Sequence, residues 1–308
     1  MSNETAQRIP DEVLVVQANR KDLRFAIIGI VVLMVTMVAL LSLIADFVID
    51  GLPRISVDFL TNYPSRRPAD AGILSAWVGS TLVMMTTAAL AVPIGVAAGV
   101  YLEEYARKNW ITDLIEINVT NLAGVPSIIY GLLALGLFVY GLKLGQTIIV
   151  AGMTLALLIL PIIIVATREA LRSIPLEMRE AAYALGADKW QAVWMYLLPA
   201  ARPGILTGAI VGMSRAIGET APIITIGALS FIAFLPPPPV SADFPFVNMD
   251  WLTSPFTVMP IQMFNWISRP QPGFHTAAAA TGVVLLAMTL LMNGLAIYIR
   301  YHLRRGLK

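Results

Sequence analysis

Six apolar stretches separated by polar segments dominate the pattern along the chain. Each has about 20 residues or more, the length that an α-helix needs to cross the hydrocarbon core of a bilayer. They cover residues 25–45, 76–101, 122–141, 148–167, 204–232 and 277–299. Some contain proline, as at Pro93, Pro126 and Pro161, which membrane helices tolerate where neighbouring helices satisfy the freed backbone groups. The pattern predicts an all-α polytopic membrane protein with six transmembrane helices.

The distribution of lysine and arginine predicts how these helices are oriented. If six helices cross the membrane, the segments on the side of the N-terminus hold 15 Lys and Arg residues, the opposite segments hold five, and Arg215 lies within a span. Basic residues accumulate in cytoplasmic loops of membrane proteins. Both termini are therefore predicted to be cytoplasmic, as is the long polar loop that follows residue 167.

Composition supports a membrane protein and narrows the chemistry. Hydrophobic residues make up 57% of the chain, charged residues only 13%, and the mean hydropathy is +0.76. With no cysteine and two histidines, the chain cannot form a disulfide, and a Cys/His metal site is not expected. We also expect no nucleic-acid partner, because a net charge of +2 does not indicate a basic binding face.

The polar loop over residues 168–203 is long, regularly patterned and rich in helix-forming residues. Residues 180–185 and 189–197 favour two short helices, and Gly186 between them is suited to the turn that closes the first. Pro199 and Pro203 are expected to end this helical unit before the next span begins. The pattern predicts a compact docking surface for a partner protein.

Small and charged side chains in the first half of this loop are suited to contact with such a partner. Ala181, Ala182 and Ala184 would allow close approach. Charged neighbours could form charge-assisted hydrogen bonds across the contact, namely Arg179, Glu180 and Asp188. These residues are therefore predicted to face outward.

Two charged residues interrupt the fifth apolar stretch, within the sequence from Ser214 to Pro222. Arg215 and Glu219 are four residues apart, which places them on one face of a helix. Each charge at mid-membrane costs about 2.5–3.5 kcal/mol on insertion scales, so pairing and a water-lined interior are expected. The planar guanidinium also suits recognition of an oxyanion. The residues alone leave two interpretations open: an ion pair that fixes helix packing, or part of an anion pathway.

Catalytic machinery is missing from the sequence. There is no Gly-x-x-x-x-Gly-Lys-Ser/Thr loop for binding nucleotide phosphates and no convincing Ser/His/Asp arrangement, so we expect a protein that is not an enzyme. Glu103 and Glu104 precede Arg107 and Lys108 at the end of the second stretch. This charge cluster is interpreted as a solvated face with no functional role.

The polar loop resembles the EAA loop of ABC-importer permeases. That motif reads Glu-Ala-Ala, three residues, Gly, nine residues, Ile, one residue, Leu-Pro, and Tyr196 here replaces the Ile. The matching residues are Glu180, Ala181, Ala182, Gly186, Leu198 and Pro199. The resemblance implies a type I ABC-importer permease fold. It also implies a coupling helix seated in a groove of each ATPase subunit, with ATP and Mg used by that partner and no cofactor bound by this chain.

Two further segments are similar to signatures of phosphate-import permeases, the PstA type more than the PstC type. These are residues 214–222 in the fifth stretch and residues 121–131 in the third. The resemblance places Arg215 and Glu219 in an anion pathway, to which Ser127 and Tyr130 would add hydroxyl donors. For these two hydroxyl residues, a role in helix packing remains an equal alternative.

The resemblance implies the organisation of the whole chain and of its assembly. We expect a cytoplasmic segment over 1–24, a first transmembrane helix over 25–45, a periplasmic segment over 46–75, a permease core over 76–300 and a basic tail over 301–308. Expected partners are membrane lipid, a second, homologous permease subunit in a heterodimer, two copies of an ATP-binding subunit, and a periplasmic or surface phosphate-binding protein. The expected location is the bacterial cytoplasmic (inner) membrane.

Two alternatives remain open at this point. Arg215 alone does not distinguish phosphate from another oxyanion such as molybdate or sulfate. A gradient-driven secondary transporter or channel would also explain six spans and buried charges, but it leaves the pattern from Glu180 to Pro199 without a role.

Overall fold

The computed structural model describes residues 11–240 and 248–305, and within these residues the regular structure is entirely helical, as predicted. The α-helices are α1 (Asp11–Gly51), α2 (Val57–Thr61), α3 (Leu74–Val100), α4 (Trp110–Leu122), α5 (Ser127–Ala134), α6 (Ile148–Arg172), α7 (Leu176–Ala184), α8 (Lys189–Gln191), α9 (Leu198–Gly218), α10 (Ala221–Thr225), α11 (Met259–Ile267) and α12 (Pro272–Arg305). Wider π-helical turns extend α3, α5 and α8 at their C-terminal ends. They cover Tyr101–Tyr105, Leu135–Gly141 and Ala192–Leu197.

Among the described residues, four helices are long and apolar enough to cross a membrane. These segments are Asp22–Arg54, Leu74–Tyr105, Ile148–Arg172 and Pro272–His302, which correspond to the first, second, fourth and sixth predicted stretches. A fifth crossing is obtained if the bent pair of α4 and α5 forms one span. The count of six and the cytoplasmic side of the termini stay predictions. Residues 1–10 and 306–308, in the predicted N-terminal segment and basic tail, lie outside the described residues.

Helix α6 forms the centre of the bundle, with α3 and α9 packed against it. Glycines let the backbones approach closely, as is typical of membrane helix interfaces. A Cβ atom on Gly95 of α3 would lie 2.7 Å from Cγ2 of Ile163 in α6, and one on Gly204 of α9 would lie 2.6 Å from Cβ of Ala170. Helix α12 packs against α9, α11 and α1. The positions of α6 and α9 are therefore fixed closely relative to each other.

The fifth predicted stretch, residues 204–232, is not one continuous helix, so that prediction was wrong. Helix α9 ends at Gly218, α10 covers only five residues, and no helix follows from residue 226 to residue 240. Pro222 explains the break, because it has no N–H to donate to the carbonyl of Gly218 and its ring would clash with that carbonyl. The apolar pattern extends past a position where the backbone cannot remain helical.

The third predicted stretch, residues 122–141, is also interrupted. Helix α4 ends at Leu122, the chain bends by 106°, and the next helix begins at Ser127. Pro126 cannot donate to the carbonyl of Leu122, which instead accepts hydrogen bonds from Val125 N and from the Tyr130 hydroxyl. The result is a stable elbow in place of a straight helix.

Candidate functional site

The junction between α9 and α10 positions the charged pair. Arg215 lies in the last turn of α9, and Glu219 follows the helix in an extended conformation, with φ −75° and ψ 119°. The Nε atom of Arg215 donates to Oε1 of Glu219 at 3.2 Å. The predicted pairing is present, although Glu219 lies just beyond the helix rather than on its face.

The guanidinium of Arg215 has donors to spare. Its side chain is 37% exposed, whereas that of Glu219 is 19% exposed. Within the described part of the chain, the two terminal nitrogens of Arg215 make no hydrogen bond or ion pair. The next two residues, Ala216 and Ile217, are buried. The pair thus holds Arg215 by Nε and leaves its two-pronged end accessible, a geometry suited to the oxygens of an anion.

Helix α5, which carries the two predicted hydroxyl residues, packs against α10. Tyr130 is buried, and its hydroxyl donates to the Leu122 carbonyl at 2.8 Å. Its hydroxyl hydrogen already has an acceptor, which favours the packing role for Tyr130. Ser127 begins α5, is partly exposed, and its hydroxyl has no hydrogen bond among the described residues. Ser127 is the better placed of the two as a free donor.

The polar loop contains the predicted turn at Gly186. This residue has φ +85°, its N–H donates to the carbonyl of Tyr183 at 2.9 Å, and the N–H of Ala187 donates to that of Ala182 at 3.1 Å. Together these bonds form the Schellman arrangement that ends a helix. A Cβ atom on Gly186 would meet nothing within 4 Å. The requirement for glycine is therefore conformational and not steric.

The second half of the loop differs from the prediction, because the two prolines do not end it. Asp188 and Gln191 form a capping box at the start of α8, and the helix continues through the π-helical turn into α9. Pro199 lies in the first turn of α9, and Pro203 lies inside it. The wider π-helical turn before Pro199 relaxes the backbone hydrogen bonding that a proline ring would otherwise disrupt. The loop is consequently joined rigidly to the helix that carries Arg215.

Three of the residues predicted to face a partner are used inside the chain. Ala182 is buried, Arg179 forms an ion pair with Glu104 at 2.7 Å, and Asp188 caps α8. Glu180 and Ala181 do face outward. Among the EAA residues, Leu198 and Pro199 are partly exposed at the start of α9. The outward prediction was wrong for Ala182 and Arg179, because α7 packs on the π-helical turn Ala192–Leu197 and turns one side inward, whereas Asp188 is exposed even though it caps α8.

An apolar surface on this loop was missed by the sequence reasoning. Leu185 is 80% exposed beside the Gly186 turn, and Trp190 and Trp194 are exposed and stacked with ring centroids 5.5 Å apart. Exposed apolar side chains that are close together mark interaction surfaces. The only indication of this surface in the sequence is the spacing of the two tryptophans by four residues, which places them on one face of a helix.

The acidic pair at the end of α3 was misinterpreted as a solvated face. Glu104 is buried against Arg179, and the side chain of Glu103 is only 16% exposed, in ion pairs with Arg168 and Arg172. All these partners are more than 60 residues away in the chain, so no local pattern could have indicated them. The end of the molecule formed by α4, α7 and the C-terminal ends of α3 and α6 is called the coupling end below.

The fold and the site define a class of protein: a helical integral membrane protein with a charged pair at a helix break and an exposed polar loop over α7 and α8, called the docking loop below. A sequence profile of the family described as "Binding-protein-dependent transport system inner membrane component" matches residues 91–305. The chain belongs to this family.

Individual relatives and solved structures agree with that assignment. The chain is 32% identical over 262 residues to the phosphate transport system permease protein PstA of Yersinia pestis, covering 83% of this chain and 82% of that protein. It is 35% identical to PstA of Haemophilus influenzae, over 67% and 73% of the two chains. With the probable ABC transporter permease protein YqgI of Bacillus subtilis it shares 35% identity, over 62% of this chain and 65% of that protein. A chain of the inward-facing MetNI methionine ABC transporter matches the fold with a TM-score of 0.55 at 20% identity, over 73% of this chain and 94% of that one.

Proposed function

We propose that the chain is a permease subunit of an ATP-driven importer for inorganic phosphate, located in the bacterial inner membrane. The choice of phosphate is supported by the PstA relatives, which match most of the chain at 32–35% identity. The observation that carries the proposal is the Arg215 guanidinium, held by Glu219 through Nε with its terminal nitrogens accessible.

The exposure of Arg215 supports a pathway that this chain forms only in part. A charged group is costly in the hydrocarbon region unless it faces protein or water. Helix α9 buries one side against α6, whereas the Arg215 side chain remains 37% exposed. A second, homologous permease subunit would close the other side of the pathway and shield Arg215 from lipid. Phosphate would then pass between the two subunits.

The loop of α7 and α8 would connect this pathway to ATP. Two copies of an ATP-binding subunit would bind ATP and Mg, one beneath the loop of each permease, while a phosphate-binding protein would deliver the anion on the opposite side. Closure of the ATPase dimer would act on Glu180, Ala181 and the Gly186 turn. A partner that binds two conformational states with equal affinity does not change their relative populations. The ATPases must therefore contact the loop differently in the inward-facing and outward-facing states.

The proposal is tested by reconstituting the complete complex into liposomes with the phosphate-binding protein on the delivery side. We expect uptake of labelled phosphate that requires ATP and Mg on the side of the ATPases and that persists after an ionophore has removed ion gradients. Uptake without ATP that the ionophore abolishes would instead identify a gradient-driven transporter. Failure of the chain to co-purify with an ATPase subunit would also contradict the proposal.

A further inference from the structure

Four charged side chains at the coupling end form a cluster across three helices. Arg168 and Arg172 lie one turn apart on α6, Glu103 lies in the π-helical turn that ends α3, and Glu116 lies on α4. Arg168 Nη2 is 2.7 Å from Glu116 Oε2, and Arg172 Nε is 2.9 Å from Glu103 Oε2. The crossed pairs, Arg168 to Glu103 and Arg172 to Glu116, are each 3.4 Å. Two arginines thus bridge two glutamates that lie on different segments of the chain.

Within the cluster, Arg168 is the central residue. Its side chain is 7% exposed, whereas that of Arg172 is 43% exposed and also contacts Glu169. Removal of one partner from a buried ion pair is strongly destabilising, because the remaining charge is left without compensation. Exposed pairs contribute little. The connection between the three helices therefore depends mainly on Arg168.

The cluster joins the docking loop on one side. Glu104, the neighbour of Glu103 in the same π-helical turn, pairs with Arg179 of α7 at 2.7 Å, and its side chain is 5% exposed. Arg179 also donates to the Leu171 carbonyl of α6 at 3.0 Å. A displacement of α7 is thus transmitted to the ends of both α3 and α6.

On its other side the cluster joins the anion site. Helix α4 has no buried residue and packs mainly on α6, so Glu116 is its principal polar attachment to the bundle. The Tyr130 hydroxyl bridges the elbow between α4 and α5 by donating to the Leu122 carbonyl. Helix α5 in turn packs on α10, which begins two residues after Glu219.

We infer that Arg168 is a positioning residue that couples the docking loop to the anion site. In this arrangement the ion-pair cluster makes α7 and the elbow of α4 and α5 move together, so that a displacement of the loop by the ATPases shifts α5 over Arg215. The inference rests on the proposed function for the identity of the driving partner. It assigns the transmission of motion to Arg168, Glu103 and Glu116, none of which belongs to the EAA motif or to the anion site.

The test combines a transport ratio with a distance. In the reconstituted complex, Arg168→Gln should lower the phosphate transported per ATP hydrolysed by about fivefold or more, the lower range of allosteric couplings, while ATP hydrolysis and assembly persist. Glu116→Gln should give the same defect, and the double variant should be no worse than Arg168→Gln alone. Arg300→Gln is the matched control, because Arg300 lies near the end of α12 and bonds to Thr207 outside the cluster. It should keep the wild-type ratio.

The chain has no cysteine, so spin labels can be attached to Asn118→Cys on α4 and Glu177→Cys on α7, both exposed and outside the ion pairs. In the wild-type complex, the distribution of distances between the two spin labels should stay narrow with and without Mg and ATP. In the Arg168→Gln variant, this distribution should broaden or shift when Mg and ATP are added. If Arg168→Gln does not assemble, Glu116→Gln replaces it, because it leaves Arg168 paired with Glu103.

The inference is overturned if the variant keeps the wild-type ratio, or if the ratio falls while the distances match those of the wild type. If phosphate is not the cargo, the wild-type complex shows no phosphate uptake, which contradicts the proposed function. The spin-label distances then test the coupling role of Arg168 on their own.

Discussion

Arg215 and Glu219 illustrate how one pair of residues combines two requirements. Two unpaired charges at mid-membrane would cost roughly 5–7 kcal/mol on insertion scales. The contact of 3.2 Å relieves part of this cost through Nε alone and leaves the rest of the guanidinium accessible. An arginine attached in this way keeps its fork oriented and still offers donors to an anion.

The first prediction follows from that geometry. Arg215→Lys keeps the charge but loses the planar fork, and we expect phosphate uptake to fall about tenfold or more, since a hydrogen bond to a charged group contributes about 1.5–3 kcal/mol. Arg215→Ala should abolish uptake. Both are measured as initial rates of labelled phosphate uptake in complexes whose assembly is verified by co-purification. Normal uptake by Arg215→Ala would exclude a pathway role.

For individual residues, the sequence predicted correctly the features that depend on the spacing of residues close together in the chain. The interval of four residues indicated the pairing of Arg215 with Glu219, and the φ of +85° at Gly186 agrees with the predicted turn. The inward direction of Ala182 depends on how α7 packs on the π-helical turn Ala192–Leu197, and the partner of Arg179 lies in the distant turn that ends α3. Such contacts between distant parts of the chain leave no periodic signal in one sequence.

Helix breaks are the important feature at the scale of elements. Pro126 and Pro222 end α4 and α9 within apolar sequence, and the two breaks lie close together because α5 packs on α10. Hydropathy detects length and polarity but not the loss of a backbone donor, so both breaks were predicted as continuous spans. The sequence therefore predicted most of the long helices correctly and missed the two interruptions that form the site.

The contact between α5 and α10 gives a second prediction. A Cβ atom on Gly131 would lie 2.7 Å from Cα of Pro222, so Gly131→Ala must push α5 away from α10. We expect this variant to lose most phosphate uptake while it still binds the ATPase subunits. Gly136→Ala is the matched control, because a Cβ atom there meets nothing within 4 Å. Equal uptake by the two variants would show that the contact is not needed.

The turn of the docking loop gives a third prediction. A side chain in the left-handed conformation costs about 1–2 kcal/mol, and more for a β-branched residue, so Gly186→Val should distort the end of α7. We expect weaker ATPase retention during purification, or hydrolysis uncoupled from transport. Gly186→Asn should be much milder, since asparagine adopts this conformation readily. Retention and coupling equal to wild type in Gly186→Val would refute the docking role of the turn.

For the whole molecule, the proposed ATPase-docking loop and the proposed anion site are separate places joined by a continuous run of helix. The docking loop continues through α8 and its π-helical turn into α9, which carries Arg215 at its far end. The EAA pattern indicated the ATPase partner in the sequence, whereas the cluster around Arg168 became visible only in the folded chain. In the proposed assembly a second subunit covers the accessible face of Arg215, and the sequence of one chain cannot supply that partner's residues.

The most direct test of the central claim is oxyanion competition in the complete complex. ATP-dependent uptake of labelled phosphate is measured in liposomes that carry the phosphate-binding protein, with unlabelled phosphate, molybdate or sulfate in excess. We predict that only unlabelled phosphate abolishes the signal and that complexes with Arg215→Ala show no ATP-dependent uptake. Inhibition by molybdate or sulfate equal to that by phosphate, or full uptake with Arg215→Ala, would contradict a phosphate pathway through Arg215.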